Sequence, residues 1–527
     1  MNSQNWTLRQ KIGQLMVVRA SGFLFDHQIL YPQWEPPQAQ LKRWLNTLNL
    51  GGVILLGGSA VEVHQRIKQL QSWSPTPLLI AADIEEGVGQ RFSGATWFAP
   101  PMALGEIAHR DLALAQSYAR EMGAHTAQEA LALGINWLLA PIADVNNNPD
   151  NPVINIRAFG DRPEIVSALV TAFLEGAKPY PVLTTAKHFP GHGDTSTDSH
   201  LHLPVIDHDR QRLETVELPP FQAAIAAGVD TVMTAHIRIP VWDREKPATL
   251  SAPILTGQLR QKLQFAGLIV TDALIMAGVA QQASPAEVAL QALEAGADIL
   301  LMPPEPEATI LAIEAAVHCG RLTVQRLEES LTRLSQAKGK LDLGGPKTAP
   351  LQLQPQGAQT TVAAILEASG RQGGPLPWRG ATSGIKNIIV VDDLLKSDFL
   401  HRSCPGITIP QNLGCSLQLL DQTSIQSLSQ QQKPCWLQIF VRGNPFRGQA
   451  GLSEQAQELY LSLLLSGQVQ ALILYGSPYV LEWFLPQLPP SLPWVFSYGQ
   501  MPQAQALAWQ KLLGPVESTL PRADSFM

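Results

Sequence analysis

Short apolar runs alternate with segments of helical spacing through the first two-thirds of the chain. Most of these runs are continuously apolar rather than alternating, which is typical of strands covered on both faces of a sheet. The eight predicted strands are residues 15–18, 52–56, 78–83, 135–140, 182–188, 231–236, 268–272 and 298–302. Eight strands linked by helical segments predict an α/β fold of the (β/α)8 TIM-barrel type, with a doubly wound open sheet as the competing arrangement.

Polar residues gather at the carboxyl ends of these predicted strands. They are Asp83, Asp144, Lys187, His188, His236 and Asp272. Barrel enzymes carry their active sites on that rim. The clustering is independent of the apolar pattern that predicts the strands, so it supports the barrel.

A second α/β pattern follows the barrel. The barrel is predicted to occupy residues 1–343, and residues 344–385, rich in Gly, Pro, Gln and Thr, predict a linker. Residues 386–527 predict a smaller α/β domain, with strands at 388–391, 436–441 and 471–475. No dense group of titratable residues lies there, and the role of this domain stays open.

Composition and charge narrow the class of protein. The 527 residues are 45% hydrophobic and 15% charged, as expected for a globular enzyme of two domains. A net charge of −7 gives no basic surface for nucleic acid or membranes. No secretory signal and no long apolar span are evident, so no membrane partner is expected. Four cysteines without a Cys-x-x-Cys pair favour a cytoplasmic setting.

The densest chemistry lies in one loop. Residues 187–200 read KHFPGHGDTSTDSH and follow the apolar strand predicted at 182–188. Gly191 and Gly193 interrupt regular structure there. A loop of titratable groups on a rigid scaffold is where catalysis is usually found.

This loop resembles the signature loop of bacterial β-N-acetylhexosaminidases in glycoside hydrolase family 3. The resemblance extends over residues 8–340 and implies a retaining, exo-acting β-N-acetylglucosaminidase that needs no cofactor. The substrates implied are small carbohydrates, either peptidoglycan fragments or chitooligosaccharides ending in N-acetylglucosamine, and the implied setting is cell-wall recycling. The oligomeric state stays open.

Asp272 ends the seventh predicted strand within the sequence IVTDAL. An aspartate at this position could cap a helix. The Thr-Asp-Ala-Leu context is similar to the family's nucleophile motif, and the resemblance therefore implies that Asp272 attacks the anomeric carbon and forms a covalent glycosyl-enzyme.

Asp198 and His200 form an Asp-x-His pair in the loop. Taken alone, such a pair is more often part of a polar surface loop. The resemblance implies that His200 is the acid/base and that Asp198 is its partner. Imidazole titrates near neutrality, so it can donate a proton and take one back, and a carboxylate can orient the ring.

The resemblance also implies residues that position the substrate, namely Asp83, Arg91, Arg157, Lys187 and His188. Arg157 lies in NIRAFG, similar to the family's Arg-Ser-Phe-Gly loop. Asp83 and Arg91 are the outer residues of DIEEGVGQR, similar to a family segment that contacts the terminal sugar. An isolated surface arginine would instead form a weak ion pair.

One departure concerns the same segment. Glu86 and Val88 stand where the family segment has a glycine and an arginine. The local backbone, and with it the placement of Asp83, could therefore differ.

Three other functions compete. A metal-dependent barrel hydrolase could draw ligands from the six residues His188, His192, Asp194, Asp198, His200 and His202, although their spacing fits no zinc motif and no metal site is predicted. A sugar-binding module would leave Asp272 and His200 unexplained. A β-glucosidase or a β-glycoside phosphorylase of the same family is the third alternative, since a neutral histidine could admit phosphate in place of water.

Overall fold

The computed structural model describes residues 5–199, 201–343, 351–430, 433–443 and 450–514. These residues form two compact units, one of residues 5–361 and one of residues 362–443 with 450–514. No helix in these stretches is both long enough and apolar enough to cross a membrane.

Eight parallel strands form a closed circuit in the first unit. They are β1 (Met16–Ser21), β2 (Gly52–Leu56), β3 (Leu79–Ala82), β4 (Trp137–Leu138), β5 (Thr185–Phe189), β6 (Thr231–Thr234), β7 (Leu268–Val270) and β8 (Leu300–Leu301). They pair in the orders β4-β3-β2-β1-β8 and β5-β6-β7. Leu138 N donates to Leu183 O (2.8 Å) and Thr271 N to Ile299 O (3.0 Å), which joins the two groups at both edges. The predicted TIM barrel is confirmed, and the open doubly wound sheet is wrong.

Helices surround this circuit. They are α1 (Leu8–Gln14), α2 (Gln38–Thr47), α3 (Ala60–Trp73), α4 (Met102–Ala108), α5 (Leu112–Leu133), α6 (Pro163–Ala177), α7 (Arg210–Arg212), α8 (Pro219–Ala227), α9 (Ala277–Ala280), α10 (Pro285–Ala295), α11 (Pro306–His318) and α12 (Val324–Lys338). π-Helical turns cover Leu213–Glu217 and Pro253–Lys262.

The ends of α5 show why the sequence starts and stops a helix there. Asp111 caps the first turn by accepting a hydrogen bond from Leu114 N (2.9 Å). Gly134 ends the helix with φ at 99°, a left-handed conformation that glycine adopts without steric cost. The 22-residue helix therefore begins and ends on local signals.

The barrel interior is packed with side chains. Trp137 of β4 is fully buried, and its Nε1 donates to Thr185 Oγ1 (2.9 Å) and Thr231 Oγ1 (3.2 Å) on β5 and β6. Since a buried indole N–H needs an acceptor, the two threonines satisfy it within the core.

The second unit contains one mixed sheet. Its strands are β9 (Arg371–Gly373), β10 (Lys386–Val390), β11 (Ser416–Leu420), β12 (Cys435–Val441), β13 (Val469–Gly476) and β14 (Trp494–Ser497), in the order β11-β10-β12-β13-β14-β9. All neighbours are parallel except β9, which is antiparallel to β14. The helices α14 (Pro405–Asn412), α15 (Glu454–Leu465), α16 (Pro478–Phe484) and α17 (Pro502–Leu513) alternate with these strands. The predicted α/β pattern is confirmed here.

The predicted linker differs from the structure. Residues 344–350 lie outside the described residues, but residues 351–385 contain helix α13 (Gln356–Ser369) and strand β9. The helix buries Ala358, Val362, Ile365 and Leu366, a helical face that the Gly, Pro, Gln and Thr content of this stretch obscures. The domain limits themselves stay a prediction.

Candidate active site

β5 brings Lys187 and His188 to the rim of the barrel. Its register against β6 shifts between Ala186 and Phe189, so the strand is irregular at these two residues. These two residues are only 1% and 5% exposed. Two predicted site residues are therefore buried side by side at the carboxyl end of one strand, as expected from the sequence.

Glu85 joins the two buried cations of the site. Lys187 Nζ lies 2.6 Å from Glu85 Oε1 and 2.8 Å from Asp83 Oδ1. Arg157 donates to Glu85 through Nε (2.8 Å to Oε2) and Nη2 (2.7 Å to Oε1). This two-pronged pairing fixes the guanidinium plane. Three predicted residues thus meet around one carboxylate that the sequence did not single out.

The charges in this group compensate one another. Burial alone would raise the pKa of Glu85, but the Arg157 and Lys187 cations outweigh it and hold that pKa well below its usual range. Burial alone would lower the pKa of Lys187, but Asp83 and Glu85 outweigh it and raise that pKa. All three groups are therefore ionised at neutral pH, and with Asp83 they sum to no net charge.

Arg91 contacts the same group through the backbone. Its Nε donates to the carbonyl oxygen of Asp83 (3.0 Å), and the arginine side chain is exposed. Asp83 keeps 25% of its side chain exposed beside Lys187. The cluster therefore presents both hydrogen-bond donors and a carboxylate acceptor at its exposed side. This combination can bind the hydroxyl groups of a ligand.

The departure at Glu86 is accommodated locally. Glu86 is buried; its Oε2 accepts a hydrogen bond from Trp97 Nε1 (2.9 Å), and its backbone N–H donates to Gln90 Oε1 (3.0 Å). Gly87 has φ at 83°, and a Cβ there would lie 2.8 Å from Thr96 O. The substituted segment still turns tightly, and Asp83 reaches Lys187.

Asp144 orients His188 and the loop after it. Its Oδ2 accepts from His188 Nδ1 (2.8 Å), and its Oδ1 accepts the backbone N–H groups of His188 (3.1 Å) and His192 (2.8 Å). Burial would raise the pKa of this carboxyl, but the His188 imidazole and these hydrogen bonds lower it. The interaction favours the His188 tautomer with hydrogen on Nδ1.

His192 is a neutral packing residue of the loop. Its Nδ1 lies 2.8 Å from Thr195 Oγ1, and its Nε2 lies 3.0 Å from Ser199 Oγ. Burial lowers the pKa of His192 to about 4, so the ring carries no charge at neutral pH. The two hydroxyl contacts hold the part of the loop that precedes His200.

Close backbone packing also constrains this loop. Asn151 Nδ2 donates to the carbonyl oxygens of His192 (2.8 Å) and Gly193 (3.0 Å). A Cβ at Gly193 would lie 1.8 Å from Val145 O, so only glycine fits there. The second glycine of the loop is therefore required by packing.

Residues 199 and 202 pack against the chain that follows Asp272. Asp198 is buried, and its carbonyl oxygen accepts from Leu201 N (3.0 Å) and His202 N (2.9 Å). Gly278 N donates to Ser199 O (3.2 Å). A Cβ at Gly278 would lie 2.9 Å from Ser199 O and 3.2 Å from His202 O.

His200 itself lies outside the described residues, so its acid/base role stays a prediction. The residues on both sides of it nonetheless pack on Gly278, six positions after Asp272. The predicted acid/base segment and the predicted nucleophile segment are therefore neighbours.

Asp272 lies two residues after β7. Its Oδ1 accepts the N–H of Ala273 (2.7 Å), and its carboxylate is among the charges that act on His192. The next helix, α9, begins at Ala277 with Met276 at its N-cap position. The helix-capping alternative for Asp272 is therefore wrong.

A buried histidine supports the nucleophile segment. His236 Nδ1 lies 2.8 Å from Thr249 Oγ1, and its Nε2 lies 3.0 Å from Ala273 O. It connects the end of β6 to the residue after Asp272. The sequence indicates His236 through its position at a strand end. It does not reveal the hydrogen-bond partners of His236, because they are 13 and 37 positions away along the chain.

Among the described residues, the donor atoms of Asp194, His208 and Glu217 lie close enough together to hold a metal ion. His208 Nε2 lies 2.6 Å from Asp194 Oδ2. Arg212 Nη2 lies 3.4 Å from Asp194 Oδ2 and 3.2 Å from Glu217 Oε1, so a cationic guanidinium already serves both carboxylates. Of the six candidate ligands from the sequence, this group includes Asp194 alone.

The charged residues Asp83, Glu85, Arg157 and Lys187 form what we call the Glu85 group. Neither Asp194 nor Glu217 reaches this group through any described contact. A Cβ at Gly191 would meet the Cβ of Glu217 at 2.8 Å, so Glu217 lies against the backbone of the loop. Asp194, His208 and Glu217 therefore stabilise the loop at Gly191, and none of them is a predicted catalytic residue.

Comparison with known proteins agrees with this architecture. Residues 7–337 match the glycosyl hydrolase family 3 N terminal domain, and residues 380–514 match the bacterial glycosyl hydrolase family 3 C-terminal domain. The chain is also similar to a solved glycoside hydrolase family 3 beta-N-acetylglucosaminidase from Paenibacillus sp. str. FPU-7. The two share 30% identity and a TM-score of 0.80, with 97% of each chain covered.

Two curated relatives carry related names. A "Beta-hexosaminidase A" of Pseudoalteromonas piscicida is 34% identical over 65% of this chain and 63% of its own length. A "Beta-N-acetylglucosaminidase/beta-glucosidase" of Cellulomonas fimi is 32% identical over 58% of this chain and 55% of its own length. The chain thus spans less than two thirds of either relative. The match of the family model to more than half of the residues, on a barrel of the expected form, shows that the chain belongs to glycoside hydrolase family 3.

Proposed function

We propose that the protein is a retaining, exo-acting β-N-acetylglucosaminidase that removes terminal N-acetylglucosamine. The observation that carries the proposal is the packing of Ser199 and His202 on Gly278, since these two residues flank the predicted acid/base and Gly278 follows the predicted nucleophile by six positions. The names of the Pseudoalteromonas and Paenibacillus relatives support the same sugar.

The reaction follows the two-step course of retaining glycosidases. Asp272 attacks the anomeric carbon while His200 protonates the departing oxygen, which gives a covalent glycosyl-enzyme. His200 then removes a proton from water as the water attacks the same carbon and displaces the Asp272 carboxylate. Asp198 orients the imidazole and stabilises its charged form. Two inversions leave the product in the β configuration.

The Glu85 group would bind the terminal sugar. Asp83, Arg91, Arg157, Lys187 and His188 supply donors and acceptors for its hydroxyl groups, and the buried charges are already paired. A site with fixed, satisfied polar groups discriminates strongly against a sugar that lacks a hydroxyl partner. Its neutrality suits an uncharged N-acetylhexosamine.

A β-glucosidase is the second candidate, because the Cellulomonas relative carries both activities in its name. Rates on 4-nitrophenyl β-N-acetylglucosaminide and β-glucoside, each with and without phosphate, separate the candidates. We expect the N-acetylglucosaminide to be preferred and phosphate to leave the rate unchanged. Acceleration by phosphate with a sugar phosphate as product would establish a phosphorylase.

The nucleophile has a direct test. A 2-deoxy-2-fluoro or 5-fluoro glycosyl donor should label Asp272, and Asp272→Ala should remove nearly all turnover while the fold survives. Asp83→Asn serves as a matched control that weakens binding and leaves the labelling site in place. Labelling of a different carboxylate would contradict the assignment.

We also propose that the substrates are peptidoglycan fragments or chitooligosaccharides met in the cytoplasm. The four cysteines support this setting, since all are unpaired and three of them are buried. Fractionation of cells into cytoplasmic and envelope portions, with activity measured in each, tests the location.

A further inference from the structure

A small pocket opens on the rim beside the predicted nucleophile. It has a volume of about 160 Å³, and its lining includes Arg19 of β1, Met302 after β8, and Ile275. Met302 N donates to Val17 O (2.7 Å), which ties the end of β8 to β1. Since the carboxyl ends of the barrel strands meet on one face, this rim pocket lies on the same face as the candidate active site.

The chain itself limits the distance from this pocket to Asp272. Ile275 follows Asp272 by three residues, and three residues span at most about 10 Å. Leu274, between them, donates its N–H to Leu301 O (3.0 Å), which directs the segment towards β8. The pocket therefore begins within one or two sugar rings of the predicted site of bond cleavage.

The lining is aromatic and amide-bearing. Trp34 and Trp44 supply ring surfaces, and Gln33 and Gln40 supply exposed side chains with donors and acceptors. The flat faces of a pyranose are apolar while its edges carry hydroxyl groups, so this combination matches a sugar ring. A drug-sized ligand takes a pocket of roughly 300–1,000 Å³. The rim pocket is smaller and suits one ring.

Charge restricts which sugar fits. Among the described residues that line the pocket, Arg19 carries the only formal charge. Its Nη2 lies 2.8 Å from Glu35 Oε1, and both side chains are buried. Its guanidinium carbon also lies 4.7 Å from the ring centre of Tyr31. Arg19 is thus neutralised by Glu35 and packed against an aromatic ring, and the pocket offers no uncompensated cation to a carboxylate.

We propose that the rim pocket binds the leaving group, and that it takes one neutral sugar such as a second N-acetylglucosamine in preference to a sugar bearing a carboxylate. This inference rests on the proposed function, because it requires glycoside cleavage at Asp272.

Trp34→Ala tests the proposal on two donors. N,N′-Diacetylchitobiose places a neutral sugar in the pocket, whereas N-acetyl-β-glucosaminyl fluoride has a one-atom leaving group that cannot reach it. Removal of an aromatic anchor should lower kcat/KM for the disaccharide about tenfold and leave the fluoride nearly unchanged. Phe25→Ala is the matched control, since Phe25 lies in the same loop, is 61% exposed and does not line the pocket.

Gln40→Ala provides a second variant that does not depend on a partly buried tryptophan. It should also lower the rate on the disaccharide selectively. The unchanged protein should cleave diacetylchitobiose faster than the disaccharide of N-acetylglucosamine and N-acetylmuramic acid. Equal losses on both donors, or preference for the muramic acid disaccharide, overturns this inference and leaves the proposed function intact. No turnover of the fluoride by the unchanged protein overturns the proposed function itself.

Discussion

Glu85 is the residue on which the two buried cations of the site depend. It is 3% exposed and pairs with Lys187 and Arg157 at once. Removing one partner of a buried ion pair leaves an uncompensated charge in a medium that solvates it poorly. Its contribution to stability is present above the unfolded pKa of glutamate, at about pH 4.3, and is lost as the pH falls towards the lowered folded pKa.

Glu85→Gln should therefore impair both stability and activity. We expect a loss of about 3–5 kcal/mol in the free energy of unfolding and a large fall in kcat/KM on aryl substrates. Chemical denaturation and steady-state rates measure the two effects. Glu164→Gln on the exposed start of α6 is the control and should change neither. Full activity in Glu85→Gln would show that the pairing is not needed to shape the site.

His200 makes a distinct prediction about leaving groups. A good leaving group needs little protonation, but water still needs a base in the second step. His200→Ala should thus slow poor leaving groups in the first step far more than activated aryl ones, by about 10²–10⁴-fold. Activated substrates should show a burst of one product per active site. Similar losses for both classes without a burst would point to a structural or metal-binding role.

At the scale of elements, a buried lysine lies at the carboxyl end of α12, close to the amino ends of β1 and β3. Lys338 Nζ donates to Pro77 O (2.8 Å) and to Gln14 Oε1 (3.1 Å), both uncharged. Burial lowers the pKa of Lys338 to about 7. Below that pH both folded and unfolded chains are protonated and the cost of burying the cation is fully present. Between pH 7 and about 10.4 the unfolded chain binds more protons, so stability rises with pH.

Lys338→Met should remove that pH dependence. The variant should be more stable near pH 7 by up to several kcal/mol, and the difference should shrink as the pH rises towards 10. Thermal unfolding of both proteins between pH 6.5 and 9.5 measures it. Lys178→Met, at an exposed helix end, is the matched control and should leave the slope unchanged. Parallel stability curves for Lys338→Met and the unchanged protein would contradict the effect.

Elements also show why the sequence predicts the barrel better than the site. Eight apolar runs predict eight strands because burial on both faces is encoded locally. Asp83 and Arg157 were predictable from motifs, but Glu85 matters through Lys187, which is 102 positions away in the chain. Helix α13 was not predicted from the sequence because glutamine and threonine residues are interspersed among its apolar residues.

At the scale of the whole molecule, residues 351–361 belong to the first unit although they follow the barrel. Gln354 N donates to Glu129 Oε1 (2.6 Å), and Thr361 Oγ1 donates to Glu121 Oε2 (2.6 Å). Glu129 is buried and also accepts from Thr96 N (2.9 Å). A chain that ends at Leu343 leaves Glu129 with fewer donors.

Chains ending at Leu343 and at Thr361 should differ for this reason. We expect the longer one to be more stable by about 1–3 kcal/mol and to retain measurable turnover of small aryl substrates. Thermal unfolding and aryl hydrolysis compare the two. Complete loss of turnover in a folded chain of residues 1–361 would show that the second unit completes the site.

The mutual pairing of Asp83, Glu85, Arg157 and Lys187 has an evolutionary consequence. Each side chain depends on the others, so the effects of substitutions among them are expected to be strongly coupled. Selection for a new substrate can therefore change little among the side chains that would bind the terminal sugar. The loop between β1 and α2 contains exposed residues, such as Phe25 and Gln33, that take no part in this pairing. Divergent specificities within this lineage should therefore accumulate in that loop while the paired charges stay fixed.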